Sequence, residues 1–189
     1  MPPNEVLVCD AVGFEALLDD LAGRIVAGRR PGVPIALVGG RTRGVPIAER
    51  LAARIAEPVP VGAVDITLYR DDLAEVDHWP VLHGTEIPFG VDGVDVVLVD
   101  DVLFTGRTVR AAINAVCDLG RPARIRLVAL VDRGHHEIPI RADLLGMRVE
   151  TEWAENIKVR VRPLDPVDAI VRVARPVDFA GPAAPGDER

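Results

Sequence analysis

The chain has 189 residues, of which 49% are hydrophobic and 27% charged, and its formal net charge at pH 7 is −7. This size and composition fit one globular domain with a real core, and the negative charge argues against broad, nonspecific binding to nucleic acid. Because we see no Cys/His metal cluster, no signal-peptide pattern and no run apolar enough to span a membrane, we expect a cytoplasmic protein without a membrane partner.

The apolar spacing predicts helices that alternate with strands along most of the chain. A helix is predicted over 12–27, a buried strand over 35–38 and a second helix from Pro46 to about Ala56. A further strand is predicted over 61–68. The segment 69–93 that follows is long, polar and weakly patterned, which is typical of a functional loop in a compact domain.

The pattern continues with a strand over 95–99, a helix over 109–119 and a strand over 125–131. This alternation predicts an α/β fold, with a mostly parallel twisted sheet flanked by helices and ligands beyond the carboxyl ends of its strands. After Val131 the chain becomes polar and rich in turn formers, and we expect a small lobe over the site.

The predicted organisation is therefore one domain over 1–175 and a disordered tail over 176–189. Within the domain, the small lobe, called the hood below, is expected over about 132–160. A short strand is predicted over 157–161, at the end of this lobe, and another over 169–173, beyond it.

The most informative segment runs from Val96 to Thr108 and reads VVLVDDVLFTGRT. A buried strand leads into two adjacent carboxylates, Asp100 and Asp101, and a Thr-Gly-x-Thr turn then opens a helix. Free N–H groups and the helix dipole make such a turn an anion site. Carboxylates beside a phosphate would repel it unless they hold something else, and ribose hydroxyls, bound directly or through magnesium, are the natural candidates.

Two other segments offer positive charge for an anion. The loop 39–44 follows a buried strand and precedes a helix, its glycines allow close approach, and Arg41 and Arg43 carry fixed charge. The alternative is a surface turn with two solvated arginines. Arg70 opens the long loop and is the best candidate there to reach a phosphate, although a solvated loop is again the alternative.

The adjacent histidines His135 and His136 could suggest a metal or a general base. Neighbouring positions cannot both face one site in a regular element, and no third ligand stands nearby, which disfavours a metal. We interpret both as polar surface residues. For Cys117, on the apolar side of its predicted helix, we expect a buried free thiol.

The run from Val96 to Thr108 resembles the phosphoribosyl pyrophosphate (PRPP) loop of type I phosphoribosyltransferases. Together with Thr42–Pro46, Asp65–Leu73 and Asp132–Asp143, it makes the chain from about Val12 to Val161 similar to the PyrR family, bacterial pyrimidine operon regulators that are also uracil phosphoribosyltransferases. The resemblance implies the type I phosphoribosyltransferase fold. It implies Mg2+-dependent conversion of uracil and PRPP into UMP and pyrophosphate without an organic cofactor, and a homodimer or higher homo-oligomer that also meets UMP or UTP.

The resemblance also implies roles for individual residues. Asp100 and Asp101 would hold the ribose 2′- and 3′-hydroxyls and, together with PRPP, contact magnesium indirectly. The rest of the PRPP loop would surround the 5′-phosphate end of the substrate, and it consists of Val102, Leu103, Phe104, Thr105, Gly106, Arg107 and Thr108.

Pyrophosphate and base would bind on either side of that loop. Pyrophosphate would contact Arg41, Thr42 and Arg43, with Arg70 contributed by a loop that closes over the site. Uracil would lie under the hood near Arg133 and the backbone of Ile157. Purine-using relatives carry an acid near position 104 for proton transfer to the base, whereas Phe104 suits a pyrimidine.

Two segments depart from the family's pattern. RNA-regulating members carry Thr-Arg-x-x-His on the first helix, where this chain has Asp19, Asp20 and Gly23, and acids would repel RNA phosphates. After Gly146, regulators carry Lys-Asn-x-Pro-Thr-Ser, whereas 147–153 reads MRVETEW. Our hypothesis is that attenuation activity has been lost or was never present, and the alternative explanation of the change in 147–153 is drift in a surface lobe. The alternative function is an RNA-binding regulator that senses uridine nucleotides, and a third hypothesis is a transferase for another base.

Overall fold

A computed structural model describes residues 4–65 and 84–174 of the chain. Their elements, in chain order, are β1 (Glu5–Cys9), α1 (Ala11–Ala27), β2 (Ile35–Gly40), α2 (Gly44–Ala52), β3 (Val61–Val64), β4 (Asp95–Leu103), α3 (Arg107–Cys117), β5 (Arg124–Asp132), β6 (Leu144–Arg148), β7 (Asn156–Arg160) and β8 (Ala169–Val173). The main sheet has the order β3-β2-β4-β5-β6 with parallel pairs throughout. The predicted α/β fold is thus confirmed.

Continuous apolar runs in the central strands bury both faces of this sheet, as parallel sheets require. On one face, α1 and α2 pack against residues such as Leu37, Val97 and Leu130. On the other, α3 packs against neighbours such as Val38 and Leu98. None of the helices within 4–65 and 84–174 is long and apolar enough to cross a membrane.

The central strand β4 is longer than predicted. Its pairing with β2 ends at Gly39 and Val99, where we expected the strand to end, but its pairing with β5 continues to Leu103 and Asp132. Val102 and Leu103 prolong the strand because they pair with β5, which is itself apolar to its end. Asp100 and Asp101 therefore lie on a rigid strand that projects past its neighbour β2.

The second sheet is antiparallel, with the order β1-β8-β7, and draws its strands from both ends of the described chain. It forms the hood. Neither β1 nor β6 was predicted, and β6 joins the main sheet beside β5. Gly146 allows this approach, since a Cβ there would lie 2.5 Å from the carbonyl oxygen of Leu130.

Several element boundaries also differ from the sequence interpretation. The second helix ends at Ala52 rather than near Ala56, and Cys117, predicted to be buried, is exposed at the end of α3. The strand predicted over 61–68 ends at Val64. Most of the long loop, with Arg70, and the predicted tail lie outside the described residues.

Candidate active site

A cavity of about 460 Å³ lies between the carboxyl ends of the main-sheet strands and the hood, within the usual size range of small-molecule sites. Four parts of the chain meet there: the loop after β2, the end of β4 with the loop that follows, the end of β5, and β7. The sequence-predicted residues that line it are Arg41, Arg43, Asp100, Asp101, Val102, Leu103, Phe104, Thr105, Gly106, Thr108, Arg133 and Ile157.

The two aspartates stand on the projecting end of β4. Asp100 is 8% exposed, and its Oδ1 accepts a hydrogen bond from the backbone N–H of Asp101 at 3.1 Å. Both residues line the cavity. Because they belong to a strand paired with β5, the backbone beneath them is fixed. Carboxylates at a cavity wall are candidates to bind hydroxyl groups or a hard cation.

The loop after the aspartates is held in place by a turn of the chain beyond β5. The carbonyl of Thr105 accepts hydrogen bonds from the N–H groups of Glu137 and Ile138, each at 3.0 Å. Gly106 has φ 91° and immediately precedes α3; in this left-handed conformation a side chain would be strained. The turn therefore brings the N-terminus of α3, with Thr108 and Val109, to the cavity, which is the geometry of an anion site.

Of the predicted site residues that the structure describes, two are not among those that line the cavity. The Arg107 side chain is 57% exposed and forms an ion pair with Glu137, and Thr42 is exposed. The partner of Arg107 was not foreseen because it lies thirty positions further along the chain. Contacts of Arg107 and Thr42 with phosphate groups stay predictions.

The loop 41–43 presents two arginines to the cavity. Arg41 pairs with Glu86 at 2.7 Å and Arg43 with Asp165 at 3.4 Å, and the peptide bond between Arg41 and Thr42 is cis. Among the described residues, the Nε atoms of both arginines are buried and have no hydrogen-bond partner. Buried donors of this kind carry a desolvation cost that an anionic ligand would relieve.

Arg133 closes the hood end of the cavity. It is 5% exposed, and its guanidinium lies 4.0 Å from the centroid of the Phe104 ring. Its N–H groups reach the Thr151 hydroxyl at 3.3 Å and the Asn156 side-chain oxygen at 3.4 Å, and they also donate to carbonyls between 152 and 155. Arg133 therefore joins the main sheet to the hood as well as lining the cavity.

The two histidines are not surface residues, so that interpretation was wrong. The His136 side chain is 8% exposed, and its Nε2 lies 2.8 Å from Asp132. His135, at φ 58°, contacts the rings of Phe104 and Trp153. Both are covered because the turn after β5 folds back under the hood. Within 4–65 and 84–174, no group of three or more His, Cys, Asp or Glu residues could hold a metal ion.

The sequence interpretation missed much of the hood side of the cavity. Asn156, Lys158, Val159 and Arg160 of β7 line it, and so does Asp165. The available signal was the alternation in β7, where Ile157 and Val159 are buried and Lys158 is exposed between them. That alternation identifies a strand but does not reveal which surface it faces.

Comparison with known proteins adds independent observations. A family model described as phosphoribosyl transferase domain matches residues 10–161. A curated relative from Pelotomaculum thermopropionicum, named bifunctional protein PyrR, is 49% identical over 175 residues, which cover 90% of this chain and 97% of that protein. The protein of the same name from Chloroflexus aurantiacus is 57% identical over 141 residues, which cover 72% and 78%.

Solved structures show the same fold at low identity. A hypoxanthine phosphoribosyltransferase from Staphylococcus aureus has a TM-score of 0.69 and 16% identity, covering 93% of this chain and 94% of that one. A hypoxanthine phosphoribosyltransferase from Trypanosoma cruzi, a point mutant in a ternary complex with substrates, has a TM-score of 0.68 and 18% identity, covering 90% and 95%.

Proposed function

The chain belongs to the phosphoribosyltransferase family and, within it, to the bifunctional PyrR proteins, and on this premise we propose that it is a uracil phosphoribosyltransferase, which converts uracil and PRPP into UMP and pyrophosphate. One observation carries the proposal. A single cavity combines the carboxylates of Asp100 and Asp101, a helix N-terminus behind a Thr-Gly turn, and buried arginine donors. These are the groups that ribose, a 5′-phosphate and a pyrophosphate require.

In this reaction N1 of uracil forms a bond to C1 of the ribose while the bond from C1 to pyrophosphate breaks, and the N1 proton is released. Positive charge develops on the ribose ring as the leaving group departs. Such a reaction needs anchored phosphates, an oriented ribose, a neutralised leaving group and a site from which water is excluded. No covalent bond to the protein is required.

Different residues of the described chain meet each of these requirements of the reaction. Asp100 and Asp101 accept hydrogen bonds from the ribose hydroxyls, and their negative charge favours the developing cation. The N–H groups at the start of α3 bind the 5′-phosphate. Arg41 and Arg43 bind the pyrophosphate, whose oxygens supply acceptors for the buried Nε atoms.

Members of the phosphoribosyltransferase family generally use PRPP with Mg2+. The donor set fits this ion, since carboxylate oxygens at the cavity would complement hydroxyl and pyrophosphate oxygens from the substrate. Asp100 and Asp101 would contact it indirectly, and bound magnesium would supply positive charge to the leaving pyrophosphate.

The base end of the cavity favours a pyrimidine. Phe104 and Ile157 give it apolar walls, and Phe104 offers no acid for proton transfer to a purine. We expect kcat/KM for uracil to exceed that for hypoxanthine, guanine, cytosine and orotate by about 100-fold or more. The measurement is steady-state kinetics with each base at saturating PRPP. A purine, orotate or cytosine that reacts as well as uracil would overturn the assignment of the base.

A second candidate function is regulation of RNA, because the relatives are named bifunctional. The two acids on α1 each form an ion pair with an arginine, which the sequence did not reveal. Asp19 pairs with Arg54 at 2.7 Å and Asp20 with Arg24 at 3.1 Å. Because each of these two acids has an arginine partner, repulsion of RNA by Asp19 and Asp20 is weaker than we expected. The proposed loss of attenuation therefore rests mainly on 147–153.

We expect only weak binding to RNA. Titration with the organism's pyrimidine leader RNA, beside a scrambled RNA of equal length, should give similar curves that both weaken as salt is raised. Sequence-specific binding at submicromolar protein would contradict the loss and favour a regulator that senses uridine nucleotides in the same cavity.

We also propose that the protein acts in the cytoplasm as a homodimer or higher homo-oligomer that binds UMP or UTP as well as its substrates. Self-association is supported by exposed apolar residues near the edge of the hood, namely Val6, Leu7 and Val12. Sedimentation of the purified protein would measure the oligomeric state directly.

A further inference from the structure

We infer that Trp153 is a positioning residue that holds Phe104 in place and so shapes the uracil end of the cavity. The inference rests on the proposed function, because it concerns how the same site recognises its base. It extends the site to a side chain that does not itself line the cavity among the residues given above.

Three rings pack together behind the cavity wall. The centroids of Phe104 and Trp153 lie 5.2 Å apart with their planes tilted by 51°. His135 stands edge-on to both, 5.9 Å from Phe104 and 5.3 Å from Trp153. These separations lie in the range of favourable aromatic pairs. Of the three rings, only Phe104 faces the cavity, so Trp153 acts on the ligand through Phe104.

Arg133 also contacts the Phe104 ring, and its guanidinium lies 4.0 Å from the ring centroid. Arg133 in turn donates hydrogen bonds to the carbonyls of Glu152 and Trp153, at 3.5 and 3.4 Å. The hood segment that carries the tryptophan is thereby tied to the residue on which Phe104 stacks. Phe104 is held between a cation and an indole that are themselves connected.

The phosphate loop has separate support, which makes the effect of Trp153 selective. Thr105 directly follows Phe104, but its carbonyl is held by the N–H groups of Glu137 and Ile138 at 3.0 Å each. Removal of the indole should therefore release the Phe104 ring while the phosphate loop keeps its hydrogen bonds. We therefore expect the uracil end of the cavity to become less ordered, while the PRPP end keeps its structure.

The test compares Trp153→Ala with Trp153→Phe in steady-state kinetics. In Trp153→Ala we expect KM for uracil to rise by about tenfold or more, while KM for PRPP changes by less than about threefold. Trp153→Phe keeps a ring against Phe104 and should return KM for uracil to within about threefold of the unmodified protein. A merely structural role would raise both constants together, or would not be rescued by phenylalanine.

A binding measurement keeps the inference testable if Trp153→Ala does not fold. The chain has two tryptophans, so Trp79→Phe leaves Trp153 as the sole indole. Titration of that variant with UMP should change the Trp153 emission. Unchanged emission on saturation, or unchanged KM for uracil in Trp153→Ala, would overturn the inference. Absence of uracil turnover in the unmodified protein would instead overturn the proposed function.

Discussion

Replacement of Asp100 and Asp101 by asparagine together should reduce kcat/KM for PRPP and uracil by about 10²- to 10⁴-fold. The change keeps the size of both side chains and removes two negative charges from the cavity. Hydrogen bonds to charged groups contribute about 1.5–3 kcal/mol each, so loss of two such interactions with the ribose corresponds to about 3–6 kcal/mol in the transition state. Loss of magnesium binding would add to this.

The double variant should remain folded, because both positions lie at the cavity and the strand pairing with β5 does not use their side chains. Asp118→Asn is a suitable control, since this carboxylate is exposed at the end of α3 and its neutralisation should leave kcat/KM within about twofold. Activity of the double variant above about a tenth of that of the unmodified protein would contradict the assigned role of the acid pair.

Gly39→Ala should destabilise the fold and disable the site together. A Cβ at this position would lie 2.5 Å from the Cα of Val45 and 2.6 Å from the carbonyl carbon and oxygen of Gly44. These are backbone atoms at the start of α2, and they can move only if the loop with Arg41 and Arg43 moves. We expect about 2 kcal/mol or more of lost stability and about a 100-fold or larger loss of kcat/KM.

Urea unfolding and steady-state kinetics measure these two effects. The matched control is Gly23→Ala in α1, where an added Cβ would meet nothing within 4 Å. Because alanine favours helix over glycine, this control should be neutral or more stable by about 0.5–1 kcal/mol. A Gly39→Ala variant with unmodified stability and activity would show that the loop tolerates displacement, contrary to the close packing described above.

The central sheet could be predicted because the apolar pattern of each central strand is visible in its own stretch of sequence. β2, β4 and β5 are continuous apolar runs, and the acid pair and Thr-Gly turn follow one of them directly. The end of β4 was placed too early because Asp100 and Asp101 resemble a strand terminus. Pairing with β5 prolongs the strand past them, and that pairing is a long-range contact which local pattern does not contain.

Elements held by distant partners were the ones missed. β1 has an apolar but half-exposed sequence and exists because it pairs with β8 near the other end of the described chain. His135 and His136 are polar residues in a turn, and only the packing of that turn beneath the hood buries them. The pairing of Asp19 with Arg54 was not foreseen, because the two residues lie 35 positions apart.

The residues of the candidate site divide in the same way, into those with a local sequence pattern and those placed by distant contacts. Residues within one strand-loop-helix unit, such as Asp100, Asp101 and Thr105, were predicted from their order in the sequence, and they do line the cavity. The hood side, with Lys158, Arg160 and Asp165, was not, because its approach to the cavity depends on how two sheets are joined. Trp153 stood in a segment that the sequence marked only as unusual, and its contact with Phe104 is visible only in three dimensions.

The most direct test of the central claim is to incubate the purified protein with PRPP, Mg2+ and labelled uracil and to follow the formation of nucleotide and pyrophosphate. The account predicts equal amounts of UMP and pyrophosphate, formed repeatedly by each protein molecule, and a rate at least about 100-fold lower with Asp100→Asn/Asp101→Asn. Failure of the unmodified protein to form UMP would contradict the proposed uracil phosphoribosyltransferase.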